Sequence, residues 1–298
     1  MNEYRSPNQV DELNLNNNYQ SSPEAHNNQK NTTLPDESKV GKMTYICSGS
    51  RVCGESSCVL ITTYNLLIIP SILFYAVVIP SYDDTAAKVI LAIVSALTLI
   101  VDMYYLYDVS TTSPGYIPRS NLSLDEYMKK PQIKIIKGLE VELKFCETCM
   151  NVRGPRSFHC NICGNCIEKH DHHCPWIGNC VGGKNIRIFY KFLISVFVHA
   201  TVIFTGSLIA FIRLINDYND EKEAQPNEEH NWDYKLIISL LVLLLSGLAV
   251  FLMIIAVSHQ SYLIANNITT NECLRARLPP NTFDEGCSKN WREVWEDI

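Results

Sequence analysis

Four apolar runs set the terms for this chain of 298 residues: Cys58 to Pro80, Lys88 to Asp108, Phe192 to Ile212 and Leu236 to Val257. Each is long enough to cross ~30 Å of hydrocarbon, which takes about 20 helical residues. Core helices of soluble proteins are shorter and carry a polar face. The runs therefore predict an α-helical integral membrane protein with four transmembrane helices, at 58–80, 86–107, 188–212 and 236–257. Pro70 predicts a kink in the first, which a bundle tolerates. Asp102 makes the second the weakest run and is expected to face a polar interface, beside an interfacial belt of Tyr104, Tyr105 and Tyr107.

Basic residues orient the spans, because Lys and Arg collect on the cytosolic side. Arg119, Lys129, Lys130, Lys134 and Lys137 follow the second run, and Lys184, Arg187 and Lys191 flank the start of the third. The loop at 213–235 is acidic instead, with Asp217, Asp220, Glu221, Glu223, Glu228, Glu229 and Asp233. Both termini and the loop at 109–187 are thus expected in the cytosol, and 213–235 in the lumen. The sequons at Asn31, Asn121 and Asn267 all fall on the cytosolic side. Residues 1–45 are rich in Asn, Ser, Gln and charge, a composition that predicts a disordered tail. No cleaved secretory signal is expected. A net charge of −6 argues against a nucleic-acid partner, which would want a basic face.

Seven of the 12 cysteines crowd into Cys146 to Cys180, the core 146–180 of the cytosolic loop. An odd, dense set spaced by two residues points to metal rather than disulfides, and cytosolic thiols stay reduced. Zinc takes four tetrahedral sulfur or nitrogen ligands. The loop offers ten: Cys146, Cys149, His159, Cys160, Cys163, Cys166, His172, His173, Cys174 and Cys180. Two ions would use all but two. Neighbouring side chains in an extended segment point opposite ways, so His159 and Cys160 should serve different metals. That predicts interleaved quartets: Cys146, Cys149, His159 and Cys166 in one, and Cys160, Cys163, Cys180 and one of His172 or His173 in the other. If His173 is the ligand, His172 and Cys174 share the opposite side, as a base and a thiol. The alternative makes Cys174 a redundant thiolate and His172 a surface ring. A cysteine, a histidine and a carboxylate such as Asp171 form an activated-nucleophile set.

The run DHHCPWIGNCVGGKN, preceded by CETCMNVRGPRSFHCNICGNC, resembles the signature of the DHHC protein S-acyltransferases, the palmitoyltransferases. SPGYIPR at Ser113 to Arg119 is similar to that family's Asp-Pro-Gly motif, and TTNE at Thr269 to Glu272 to its Thr-Thr-x-Glu motif. FDEGCSKNWREVW at Phe283 to Trp295 resembles its C-terminal Asn-containing motif, within the cytosolic segment 258–298. Ser113 and Gly154 depart from the family pattern, the first in place of Asp and the second in place of Pro.

The resemblance implies that His173 completes the second zinc site and that both zinc ions are structural. It makes Cys174 the nucleophile, His172 its base and Asp171 the orienting acid. Palmitoyl-CoA would acylate Cys174, which would pass the chain to a substrate cysteine in a ping-pong route. It also implies Arg153 and Arg156 against CoA phosphates, with Trp176, Phe189 and Phe192 lining the cytosolic end of an acyl cavity. His199, an ionisable residue within the third run, shares a helical stripe with Phe189, Phe192 and Val196; it is expected either partway up that cavity, influencing acyl-chain length, or as a neutral ring hydrogen-bonded to a neighbouring helix. Thr269, Thr270, Glu272 and Asn290 would tie the C-terminal segment to the catalytic loop. The implied partners are the bilayer, palmitoyl-CoA, proteins with juxtamembrane or lipidated cysteines, and an accessory subunit, which YICSGSRVC before the first span suggests. The implied location is the Golgi or endoplasmic reticulum, with the plasma membrane as an alternative. The rival reading is a zinc-held membrane adaptor without activity. Cys47, Cys53, Cys58, Cys273 and Cys287 are expected to be inert thiols.

Overall fold

The computed structural model describes residues 44–46, 51–54, 57–224, 234–275 and 282–296. The expected tail through residue 43, Cys47, the side chain of Cys53, and Glu228, Glu229 and Asp233 lie outside the described residues.

A short hairpin, β1 (Thr44–Ile46) and β2 (Arg51–Cys53), precedes the first helix, α1 (Ser57–Leu73). Pro70 lies inside α1, and the helix widens into a π turn only beyond it, at Phe74–Val78. The helix α2 (Thr85–Thr111) starts at Asp84, whose side chain accepts from the Ala86 amide at 2.9 Å. The cysteine-rich domain follows. It holds β3 (Tyr116–Ile117), α3 (Leu124–Lys129), the hairpin β4 (Ile133–Ile136) and β5 (Leu139–Glu142), and six short strands. These are β6 (Phe145–Cys146), β7 (Asn151–Val152), β8 (Phe158–Cys160), β9 (Asn165–Ile167), β10 (His172–Cys174) and β11 (Asn179–Val181). Then come α4 (Ile186–Ala224), α5 (Tyr234–Ala265), α6 (Thr270–Arg275) and the amphipathic α7 (Cys287–Glu296).

Among the described residues, four helical segments are long and apolar enough to cross a membrane. Ile61, Leu97, Leu244 and Phe251 point outward, as a lipid-facing surface requires. The helix α4 runs past the expected end of its span, Ile212, to Ala224, so Asp217, Asp220, Glu221 and Glu223 are helical. It is the central helix, packed on α2 and α5. Close approach rests on small residues: a Cβ on Gly206 would stand 2.7 Å from the Phe74 ring.

Asp102 departs from the sequence reading. It does not face an interface; it is fully buried, directed at Ser195 of α4, and neither oxygen has a hydrogen-bond partner among the described residues. The reason is rotational phase. Thr98, Asp102 and Leu106 form an i, i+4 stripe, and Thr98 and Leu106 both look toward α4.

Candidate active site and metal quartets

Strand pairing sorts the ligands. In an antiparallel pair, directly opposed residues lie on the same face. His159 opposes Cys166 across β8 and β9, and His173 opposes Cys180 across β10 and β11. Two knuckle turns supply the remaining thiols. Met150 after Cys149 and Gly164 after Cys163 both take positive φ, 52° and 66°, which closes each C-x2-C turn.

The structure brings Cys146, Cys149, His159 and Cys166 into one quartet, and Cys160, Cys163, His173 and Cys180 into a second. His159 Nδ1 lies 3.6, 3.3 and 3.7 Å from the sulfurs of Cys146, Cys149 and Cys166. His173 Nδ1 lies 3.8, 3.5 and 3.5 Å from those of Cys160, Cys163 and Cys180. Tetrahedral zinc with bonds of ~2.3 Å to sulfur and ~2.0 Å to nitrogen spaces such atoms about 3.6 Å apart. The donor sets fit a metal on a second ground. Cys149 is pulled down to about 5, chiefly by its hydrogen bond with Cys166, and Cys163 is pushed up to about 11, chiefly by Cys160. Thiols this close share protons unevenly, and a bound cation lets them all ionise.

His172 and Cys174 lie on the other face of β10. His172 Nδ1 donates to Asp171 at 2.7 Å, and Cys174 lies beside the same ring. Burial works against charge on His172, but Asp171 and then Cys174 outweigh it and push it up to about 9. Burial likewise opposes charge on Asp171, and His172 and then Thr270 outweigh it, holding the carboxyl below its usual range. Asp171 also accepts from the Thr270 amide at 2.6 Å and the Thr270 hydroxyl at 3.1 Å. A carboxylate clamped in this way sets the ring's tautomer and angle.

Cys174 is buried in an apolar cluster with Leu106, Val109, Phe189, Phe192, Leu193 and Val196. Phe189 meets the His172 ring edge-on, with centroids 5.6 Å apart. Trp176 stands outside this cluster, 52% exposed. His199 is buried and bonded on both sides, to Thr98 of α2 at 2.8 Å and Ser71 of α1 at 3.1 Å.

The two arginines part company. Arg153 sits 5.7 Å from the centre of the Phe158 ring, which Arg275 also approaches, at 4.0 Å. Arg156 departs from the phosphate reading because four of its five N–H donors are already committed. It forks onto Glu272 at 2.7 and 2.8 Å, bonds Asn267 at 2.8 and 3.0 Å, and stacks on Phe283. Thr269 and Glu272 cap α6 reciprocally, at 2.8 and 3.2 Å. Asn290 is buried and bonds Ala265 and Asp284, so its contacts stay within the C-terminal segment and the end of α5. Ser113 accepts from the Gly115 and Tyr116 amides at 3.3 and 3.4 Å, a turn contact that an Asp would also make.

Several working residues went unremarked in the sequence. Asn179 bonds Ser110, Thr112 and Tyr116 and so fastens β11 to the end of α2. Asn185 closes the turn onto Cys180 and Gly182. There a Cβ on Gly182 would stand 2.5 Å from the Pro114 carbonyl. Lys169 pairs with Glu293, which also receives Asn267. His170 is buried against Phe158 and Asn271. The available signal was the placing of polar residues within a turn-rich segment.

Residues 139–277 match the sequence profile of the DHHC palmitoyltransferases. The chain is 30% identical over 282 residues to protein S-acyltransferase 8 of Arabidopsis thaliana, covering 86% of this chain and 67% of that protein. It is 30% identical over 250 residues to palmitoyltransferase ZDHHC18 of Mus musculus, covering 79% and 63%. It is also 30% identical over 254 residues to palmitoyltransferase ZDHHC18-A of Danio rerio, covering 79% and 52%. The alignments thus span between half and two thirds of these relatives.

Proposed function

The chain belongs to the DHHC palmitoyltransferase family, a family of protein S-acyltransferases, and on that premise we propose that this member passes a long acyl chain from acyl-CoA to protein cysteines through Cys174. One observation carries the reading. The Cys174 thiol shares the His172 ring with a clamped Asp171, on the face of β10 opposite the metal ligand His173.

Pushed up to about 9, His172 carries a proton at neutral pH, and the thiolate is the form in which a cysteine attacks. The thiolate attacks the acyl-CoA carbonyl, and the departing CoA sulfur takes the proton from His172. Neutral His172 then accepts the proton of a substrate thiol. The new thiolate attacks the acyl-enzyme, and Cys174 leaves as thiolate beside the restored imidazolium.

The apolar cluster around Cys174 favours a tail buried in the bundle, where each CH2 removed from water is worth about 0.8 kcal/mol. His199, held between Ser71 and Thr98, would floor that space. Arg153 would meet CoA phosphates. Two zinc ions, held by the two quartets, would cross-link the domain and do no chemistry. The positive-inside pattern favours cytosolic termini and a cytosolic cysteine-rich domain in a Golgi or endoplasmic-reticulum membrane. The substrates would be proteins with cysteines near a membrane, and an accessory subunit would be a further partner.

Purified protein incubated with labelled palmitoyl-CoA tests the reading. Wild type should take up hydroxylamine-sensitive label. Cys174→Ser should take up none while holding the same zinc. Loss of zinc in that variant would make Cys174 a metal ligand and sink the mechanism.

A further inference from the structure

The first histidine of Lys169-His170-Asp171-His172-His173-Cys174 belongs to neither quartet and does not touch the Asp171–His172 pair. Yet it is only 6% exposed. Its amide donates to the Arg156 carbonyl at 3.1 Å, and its ring tilts against Phe158, with centroids 5.7 Å apart. Its Nδ1 lies 3.0 Å from Nδ2 of Asn271. An amide nitrogen only donates, so Nδ1 accepts and the neutral ring carries its hydrogen on Nε2. Nε2 is buried and has no hydrogen-bond partner, sulfur included, among the described residues. The ring packs on Phe158, and Cys160, a ligand of the second quartet, projects from the same face of β8 two residues on, so its sulfur is the acceptor on that side.

We infer that His170 is a positioning residue for the second metal site: its Nε2–H donates to the Cys160 thiolate, and Asn271 holds the ring at the angle that makes the bond. This rests on the reading of the quartets as zinc sites. A thiolate on a metal keeps excess charge, and an N–H donor spreads it and fixes the direction of the sulfur lone pair. The arrangement also joins two functions. Consecutive residues of α6 hold consecutive residues of the loop: Thr270 holds Asp171 on the nucleophile side, and Asn271 holds His170 on the metal side. Zinc retention at the second quartet therefore depends on the C-terminal segment, and retention at the first does not.

Zinc release from the purified full chain to a chromogenic chelator tests this without any acyl transfer. Wild type should hold two zinc ions. His170→Phe, which keeps the ring packing, should release one of them ~10–100-fold faster, the usual cost of losing a ligand's outer partner, and leave the other unchanged. Asn271→Ala should speed the same ion by a smaller factor. His170→Gln, whose amide can still reach the sulfur, should restore most of the wild-type rate. The inference is overturned if both ions keep their wild-type rates in His170→Phe and Asn271→Ala, or if both are released faster together. Should His170→Phe fail to fold, Asn271→Ala on its half-buried helix position decides the matter. A wild-type content below two zinc ions overturns the metal reading itself, and this inference with it.

Discussion

The cysteine-rich domain and the helical bundle bury quite different side chains. In the domain the fully buried positions include Cys149, Cys163, Cys166, Cys180, Asn179 and Asn185, with Ile167, Ile177 and Val181 as the main aliphatic ones. Each of these asparagines is bonded to backbone on both sides of its amide. In the bundle the buried positions include Phe74, Val78, Leu106, Val242 and Leu263. Both parts also bury polar atoms without a hydrogen-bond partner among the described residues: Ser207, Ser239 and Asp102 in the bundle, and Asn151 Oδ1 and His170 Nε2 in the domain. The domain is held by ligand geometry and directed bonds, because strands of two to four residues enclose too little apolar surface to close a core. The bundle is held by shape and by lipid, which enforce helix length and tolerate an awkward side chain.

Stripping the metal should produce the largest effect. Structural zinc contributes ~10–16 kcal/mol to the folding of small metal-held domains. Chelation, or Cys180→Ala, should open residues 109–187 to protease while helical circular dichroism stays nearly constant. Protease resistance that survives chelation would break the comparison.

The tie between the domain and the C-terminal segment should rank next. Arg156→Ala should lower stability by about 1–3 kcal/mol, between the values for exposed and for buried ion pairs, since this pair is partly buried. Arg156→Lys should recover little, since an ammonium cannot fork. The KM for acyl-CoA should stay nearly constant. A large rise in KM with an unchanged melting midpoint would restore the phosphate role to Arg156.

Within the bundle the effects should be smaller and should fall on specificity. His199→Ala should shift the acyl-CoA profile toward longer chains. Two extra CH2 groups set a ceiling of about 1.6 kcal/mol at ~0.8 kcal/mol each, or roughly 15-fold in the stearoyl-to-palmitoyl ratio. An unchanged profile would remove His199 from the cavity floor. Asp102→Leu should be the mildest and of opposite sign. Removing an unpaired buried carboxyl should raise the melting midpoint by an amount worth about 1–2 kcal/mol. A destabilised Asp102→Leu would reveal a partner for the carboxyl.

Local pattern in the sequence already determined the four spans, the first quartet and the three thiols of the second, while the choice of His173 over His172 came only with the family resemblance. Length and charge-free runs decide membrane crossing, and the alternation of an extended chain sends His159 and Cys160 to different metals. Only the tertiary structure decided which way α2 faces, because a helix apolar all round carries no moment to mark its inner side. That is why Asp102 reads as an interface residue and lies inside. It alone decided the partner of Arg156, since Glu272 is 116 positions away and a guanidinium suits phosphate and carboxylate equally well. It also gave His170 a neighbour. Nothing in the spacing of KHDHHC shows that α6 comes back across the loop and sets Asn271 and Thr270 on two adjacent residues, one facing the metal and one facing the nucleophile.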